Sequence, residues 1–120
     1  MNKKIYVLED DEGIRDVIEI VLNLESYEVQ SFPTIKEFRA ANHHAADLFL
    51  LDVMLPDGDG LCVCRELKEA SATAGIPVLL MSAHAALDVL HTDYGAVDFI
   101  FKPFNIDELL QKIKARIVIK

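Results

Sequence analysis

Five short runs of β-forming residues alternate along this chain with stretches of helical periodicity, and no Gly/Ser/Pro linker or internal repeat breaks the alternation. The strand candidates are "KIYVLE" (4 to 9), "YEVQSF" (27 to 32), "DLFLLD" (47 to 52), "IPVLLMS" (76 to 82) and "AVDFIF" (96 to 101). Ile14, Val17, Ile18, Val21 and Leu22 stripe a first helix over 14 to 25. A second, over 35 to 45, carries Ile35, Phe38 and Arg39 and is expected to fray near His43 and His44. The turn "PDGDG" leads into a third helix around 59 to 70, and a short fourth lies near 85 to 93. Ile106, Leu109, Leu110, Ile113 and Ile117 stripe the last helix, opened by Asn105 with Glu108 in capping relation. Strand and helix in strict succession predict a five-stranded parallel sheet with helices on both faces, a doubly wound (βα)5 domain. Residues 48 to 51 and 78 to 81 are continuously apolar, as strands covered on both sides must be.

One domain spanning 1–120 is expected, because a chain of 120 residues buries a sufficient core without disulfides or structural metal. Lys and Arg number 12 against 20 Asp and Glu, a net charge of −8 that argues against gripping a nucleic-acid backbone or an anionic membrane. No apolar run approaches the ~18 residues of a membrane span. The opening "MNKKIYVLEDDE" turns acidic too soon for a secretory signal, so a cytoplasmic location is expected. Cys62 and Cys64 are too close to staple the fold. Helical spacing buries Cys64 as a small hydrophobe and exposes Cys62.

Asp52 is the sole polar interruption of "LFLLDVML", a segment otherwise apolar enough for full burial. An ionised carboxyl in low dielectric takes up a proton or finds a partner. In open α/β sheets ligands bind beyond the carboxyl ends of the strands, where strand order reverses. This chain places its unusual polar residues at those ends: Glu9, Asp10 and Asp11 after strand one, Asp52 on strand three, Ser82 on strand four and Lys102 after strand five. In the flavodoxin-like order 2-1-3-4-5, strands one and three adjoin, and Glu9, Asp10 and Asp52 share one pocket. Three neighbouring carboxylates raise one another's pKa, and a hard divalent cation such as Mg2+ relieves that. Lys102 and Ser82 add a charge and a hydroxyl donor suited to phosphoryl transfer. A carboxylate nucleophile is chemically able to become an acyl phosphate.

These residues resemble the receiver domain of two-component response regulators, and the likeness runs over essentially the whole chain. "YVLEDDEGIR" resembles that family's first strand with its acidic pair, "LLDVMLPDGDG" its phosphoacceptor strand and loop, and "MSA" and "DFIFKPF" its fourth-strand hydroxyl and fifth-strand Lys-Pro segments. The resemblance implies that Asp52 accepts a phosphoryl group from a phosphohistidine on a sensor histidine kinase or phosphotransfer protein. It further implies that Glu9, Asp10, Asp52 and the backbone carbonyl of Met54 hold Mg2+. Lys102, Ser82 and the Ala83 N–H would contact phosphoryl oxygens, and the peptide before Pro103 would be cis. Phe99 would be the aromatic that follows Ser82 as the domain switches a face read by a downstream protein. By the same likeness, Met54 and His84 occupy positions that tune dephosphorylation.

Three departures from the family pattern stand out. The interval from Ser82 to Phe99 is shorter than usual, which predicts a shortened fourth helix; Phe99 replaces a commoner tyrosine; Glu12 stands where proline is frequent. The expected chemistry is confined to the domain's own phosphorylation and dephosphorylation, so the chain is not expected to be an enzyme on external substrates. Because it ends soon after the last helix, it is expected either to act on another protein or to be part of a longer regulator. An aspartate-nucleophile phosphatase would want a second Asp at the position of Met54, and a flavin phosphate would be repelled by "EDDEG". A phosphorylation-independent interaction module on the same fold is the remaining alternative.

Overall fold

The computed structural model describes residues 2–83 and 92–117. Along the chain run β1 (Lys4–Leu8), α1 (Glu12–Leu24), β2 (Glu28–Phe32), α2 (Ile35–Arg39), β3 (Leu48–Asp52), a small ribbon of β4 (Met54–Leu55) and β5 (Gly58–Asp59), α3 (Gly60–Glu69), β6 (Val78–Ser82), β7 (Asp98–Phe101) and α4 (Ile106–Arg116). Turns of 3-10 type occupy His43–Ala45 and Thr92–Tyr94. β1, β2, β3, β6 and β7 form one parallel sheet in the order β2-β1-β3-β6-β7, which is the expected 2-1-3-4-5 order with the antiparallel ribbon set aside. Most of the interval expected to hold a shortened fourth helix, together with His84, lies outside the described residues.

Both faces of the sheet are covered, which is why β3 and β6 are apolar at every position but their last. Tyr6, Leu8, Phe49, Leu51 and Leu80 pack on one face against Ile35 and Phe38 of α2 and Val63, Cys64 and Leu67 of α3. Ile5, Val7, Leu48, Leu50, Leu79 and Met81 pack on the other against Ile18 and Leu22 of α1 and Leu109 and Ile113 of α4. Each such aliphatic side chain contributes roughly 1.5–3 kcal/mol of burial. Cys64 is buried and its thiol is pushed up to about 11 by desolvation, whereas Cys62 is exposed.

Among the described residues, four side chains cap helices. Asp11, Thr34, Asp59 and Asn105 accept N–H groups from the first turns of α1, α2, α3 and α4. The capping role of Asn105 follows the sequence expectation, with its side chain accepting from Asp107 and Glu108.

Two local expectations are corrected. The helix over 35 to 45 stops at Arg39, because Ala41 N–H turns back to Phe38 O at 3.1 Å and Tyr6 Oη donates to Asn42 O at 2.7 Å, drawing the chain toward the sheet. His43 then stacks on Phe38 with ring centroids 4.5 Å apart. Val17 and Ile106, assigned to buried stripes, are 44% and 39% exposed. Val17 lies at the margin of its helix's apolar arc and Ile106 is the first residue of its helix, and both line a cleft with Asp11 and Lys102 at the carboxyl edge of the sheet. The "PDGDG" turn leads into α3 as expected, with Pro56 and Asp57 as the turn that joins the paired residues of β4 and β5.

Candidate functional site

The acidic residues after β1 are turned in different directions by the immediate start of α1. Asp11 caps that helix by accepting Ile14 N–H at 2.9 Å, and its own N–H donates to Glu9 Oε2 at 3.1 Å. Glu9 is thereby held inward and fully buried, while Asp10 faces solvent. Arg15 of α1 braces the same loop by donating from Nη1 to the carbonyls of Glu9 at 3.0 Å and Asp10 at 3.3 Å.

Asp52 ends β3 and is 5% exposed. Its Oδ2 lies 2.9 Å from Lys102 Nζ, and its Oδ1 accepts Met54 N–H at 3.4 Å. Lys102 also pairs with Glu9 Oε1, so one ammonium sits between the two buried carboxylates. The loop that delivers Lys102 leaves β7 with Lys102 N–H bonded to Ser82 O at 3.0 Å, and the Lys102–Pro103 peptide is cis. Ser82 ends β6 and is buried; Ala83, next to it, is exposed. In the sheet register Asp52 pairs with Met81 and Ser82 with Phe101, so the ends of β3, β6 and β7 lie side by side.

Electrostatics show how crowded the cluster is. Burial pushes Glu9 from 4.5 up to about 7; the pairing with Lys102 and the hydrogen bond from the Asp11 N–H oppose that rise, and the charge of Asp52 adds to it. Burial also pulls Lys102 down, but its pairing with Glu9 and Asp52 outweighs that and leaves the ammonium held above its ordinary value.

Glu9, Asp10 and Asp52 each offer a carboxylate oxygen, and these lie within 4.8 Å of one another. Glu9 Oε1 is buried and, among the described residues, lacks an aligned hydrogen bond: the neighbouring lysine meets it as an ion pair rather than with hydrogen-bond geometry. An under-satisfied buried oxygen in an all-oxygen donor set of net negative charge fits a hard divalent cation.

The segment after Asp52 is held as tightly as the acids. Gly60 opens α3 against β3, and its N–H donates to Val53 O at 2.7 Å. A Cβ on Gly60 would lie 1.9 Å from the Asp52 carbonyl oxygen, so only glycine permits this approach.

Of the residues singled out from sequence, Glu9, Asp10, Asp52 and Lys102 form one cluster, with Ser82 at the adjoining strand end. Phe99 stands apart on β7, opposite Leu80, half-buried, in edge contact with Phe101 at 5.2 Å and beneath Lys112 Nζ at 5.2 Å from its ring. Sequence reasoning did not assign Arg15, Asp57 or the Asp98–Lys112 pair at 3.1 Å. Arg15 was the most accessible of these, being a lone cation one helical turn into an acidic helix start.

The model of the response regulator receiver domain family matches residues 5–114. This chain belongs to that family. The receiver domain is 36% identical to the DNA-binding dual master transcriptional regulator RpaA of Synechocystis, a match covering 93% of this chain and 48% of RpaA. It is likewise 36% identical to the response regulator ArlR of Staphylococcus saprophyticus, over 93% of this chain and 51% of ArlR. It therefore spans about half the length of the curated relatives it matches. Among solved structures it superposes on a CheY-like receiver domain protein of Methanospirillum hungatei with a TM-score of 0.88 and 30% identity, covering 98% and 94% of the two chains. Against response regulator DrrB of Thermotoga maritima the TM-score is 0.85 at 34% identity, covering 95% of this chain and 52% of DrrB. Receiver domains are signalling modules of two-component systems, so the phosphatase and flavin readings lose their footing. Among the described residues no helix is long and apolar enough to cross a membrane.

Proposed function

We propose that the receiver domain accepts a phosphoryl group on Asp52 from a phosphohistidine of a sensor histidine kinase or phosphotransfer protein, and so switches a protein-binding surface. The observation that carries this reading is the convergence of Glu9, Asp10 and Asp52 within 4.8 Å, with Lys102 Nζ 2.9 Å from Asp52 Oδ2.

An Asp52 carboxylate oxygen attacks phosphorus in line. The phosphorus–nitrogen bond breaks, and its electron pair returns to the ring nitrogen, leaving neutral imidazole when the other nitrogen carries a proton. Glu9, Asp10, Asp52 and the Met54 carbonyl hold Mg2+, which when bound offsets the negative charge of carboxylate and phosphoryl oxygens. Lys102 keeps its proton and passes from Asp52 to a phosphoryl oxygen. Ser82 Oγ and the Ala83 N–H supply further donors, and Phe99 repacks as Ser82 is drawn toward the new charge. The Lys102–Pro103 turn aims the ammonium back across the sheet edge. The domain acts only on its own acyl phosphate, works in the cytoplasm, and hands its state to an effector domain or separate protein without itself touching nucleic acid or membrane. Similarity to longer regulators, of which it spans about half, supports that division of labour.

Intact mass after incubation with Mg2+ and acetyl phosphate tests the proposal, with beryllofluoride binding run alongside in case turnover is fast. One phosphoryl group is expected on wild type, with none on Asp52→Asn and none in excess chelator. A wild type that neither gains mass nor binds beryllofluoride refutes it and leaves the phosphorylation-independent module.

A further inference from the structure

Asp57, in the turn between β4 and β5, takes no part in the cluster, yet both its carboxylate oxygens are engaged across the fold. Oδ1 accepts Ile35 N–H at 3.0 Å and Oδ2 accepts Lys36 N–H at 3.1 Å. Thr34 Oγ1 accepts Glu37 N–H at 3.2 Å, so the first turn of α2 is satisfied partly by its own cap and partly by a residue from another segment. A helix of five residues cannot sustain itself by propagation, and its position is set by such tertiary anchors. The contact is also steric: a Cβ on Gly58, at φ +156°, would come within 2.8 Å of Ile35 Cδ1.

The other end of the same ribbon leads straight to the acidic cluster. Met54 pairs with Asp59 and Leu55 with Gly58. Asp59 Oδ1 accepts Leu61 N–H at 2.8 Å, Gly60 N–H is bonded to Val53 O, and Met54 N–H reaches Asp52 Oδ1. The backbone of Met54 therefore has two fixed ends, Asp52 and α3 on one side and, through Asp57, α2 on the other. A backbone carbonyl has no rotamers of its own, so its direction toward a cation is decided by whatever holds the loop.

We propose that Asp57 is a positioning residue for the metal site: by fastening the β4–β5 ribbon to the start of α2 it sets the Met54 carbonyl, and it couples α2 to occupancy of the acidic cluster. This rests on the reading of Glu9, Asp10, Asp52 and the Met54 carbonyl as a Mg2+ site. Reciprocity follows, because a ligand that shifts Met54 must act on the amides that Asp57 holds, and loss of those contacts must weaken the ligand.

Titration of the 15N-labelled chain with MgCl2 alone, followed at the Met54, Ile35 and Lys36 amides, provides the test, with Asp57→Ala, Asp57→Asn and Asp10→Ala as variants. In wild type the Ile35 and Lys36 signals are expected to move with Met54 at one Mg2+ midpoint. Asp57→Ala should raise that midpoint about 10-fold and uncouple Ile35 and Lys36 from Met54. Asp57→Asn, which keeps one acceptor oxygen, should fall between them and guards against a poorly folded alanine variant. A variant spectrum that stays dispersed while the Asp57→Ala midpoint equals that of wild type overturns the proposal, as do wild-type Ile35 and Lys36 signals that never move. If Asp10→Ala also binds like wild type, or wild type binds nothing, the cluster reading fails and takes this inference with it. If Asp10→Ala weakens binding and Asp57→Ala does not, only the role of Asp57 is lost.

Discussion

Replacing Glu9 by Gln should stabilise the metal-free domain at alkaline pH and do little at acid pH. Glu9 is fully buried, and its carboxyl is raised from 4.5 to about 7 chiefly by that burial. In the unfolded chain the group ionises near 4.5, whereas the folded state retains the proton until about 7. The folded state thus binds more protons across this interval, and its stability falls as pH rises, by about 1.4 kcal/mol per pH unit, until the folded carboxyl too has ionised. Above about pH 7 the accumulated penalty levels off at about 3 kcal/mol, a sizeable part of the 5–15 kcal/mol typical of a domain. Glutamine keeps the shape and removes the charge, leaving Lys102 to Asp52 alone. Urea unfolding in chelator at pH 5, 6.5 and 8 measures the difference. A gain that grows from about 1 kcal/mol or less at pH 5 to roughly 3 kcal/mol at pH 8 is expected from this linkage. With Mg2+ added at pH 8, wild type should recover more stability than the variant, since only wild type keeps the full donor set. A gain of equal size at pH 5 and pH 8, or a loss at pH 8, would refute the assignment of the penalty to this buried carboxylate.

Two further substitutions probe the frame around the site. Gly60→Ala forces a Cβ to within 1.9 Å of the Asp52 carbonyl oxygen, a backbone atom that cannot swing aside, so destabilisation of about 3 kcal/mol or more is expected in urea, together with slower labelling of the remaining folded protein by acetyl phosphate; a change below about 0.5 kcal/mol would contradict the close approach. Phe38→Ala removes a fully buried ring that meets Phe32 at 5.4 Å, Phe49 at 5.8 Å and His43 at 4.5 Å; thermal and urea unfolding should show a loss of about 3–5 kcal/mol, and a loss under 1 kcal/mol would mean that the pocket collapses around the gap.

The places where sequence reasoning went astray share a cause. Ala40 and Ala41 are good helix formers, and nothing in their identity ends α2; the helix stops because Tyr6 from β1 takes the carbonyl of Asn42 and Phe38 takes the ring of His43. Val17 and Ile106 fit helical stripes, but a stripe states only which residues share an arc and not how far the neighbouring element extends to cover it. Asp57 read as an ordinary turn residue, because its partners Ile35 and Lys36 are remote in sequence and are recognised through backbone N–H groups that leave no trace in side-chain pattern.

By itself the sequence determined the alternation of strands and helices, the burial of β3 and β6 on both sides, and the placement of every unusual polar residue at a carboxyl strand end. Periodicity and solvation are local properties, and each residue carries its own share of them. Tertiary structure alone decided that Lys102 lies between Glu9 and Asp52, that Arg15 clamps two carbonyls of the acidic loop, and that a carboxylate beyond β3 holds the start of α2. Those pairings depend on distance and direction between segments far apart in the chain, which parallel crossover connections bring together only once the sheet has closed.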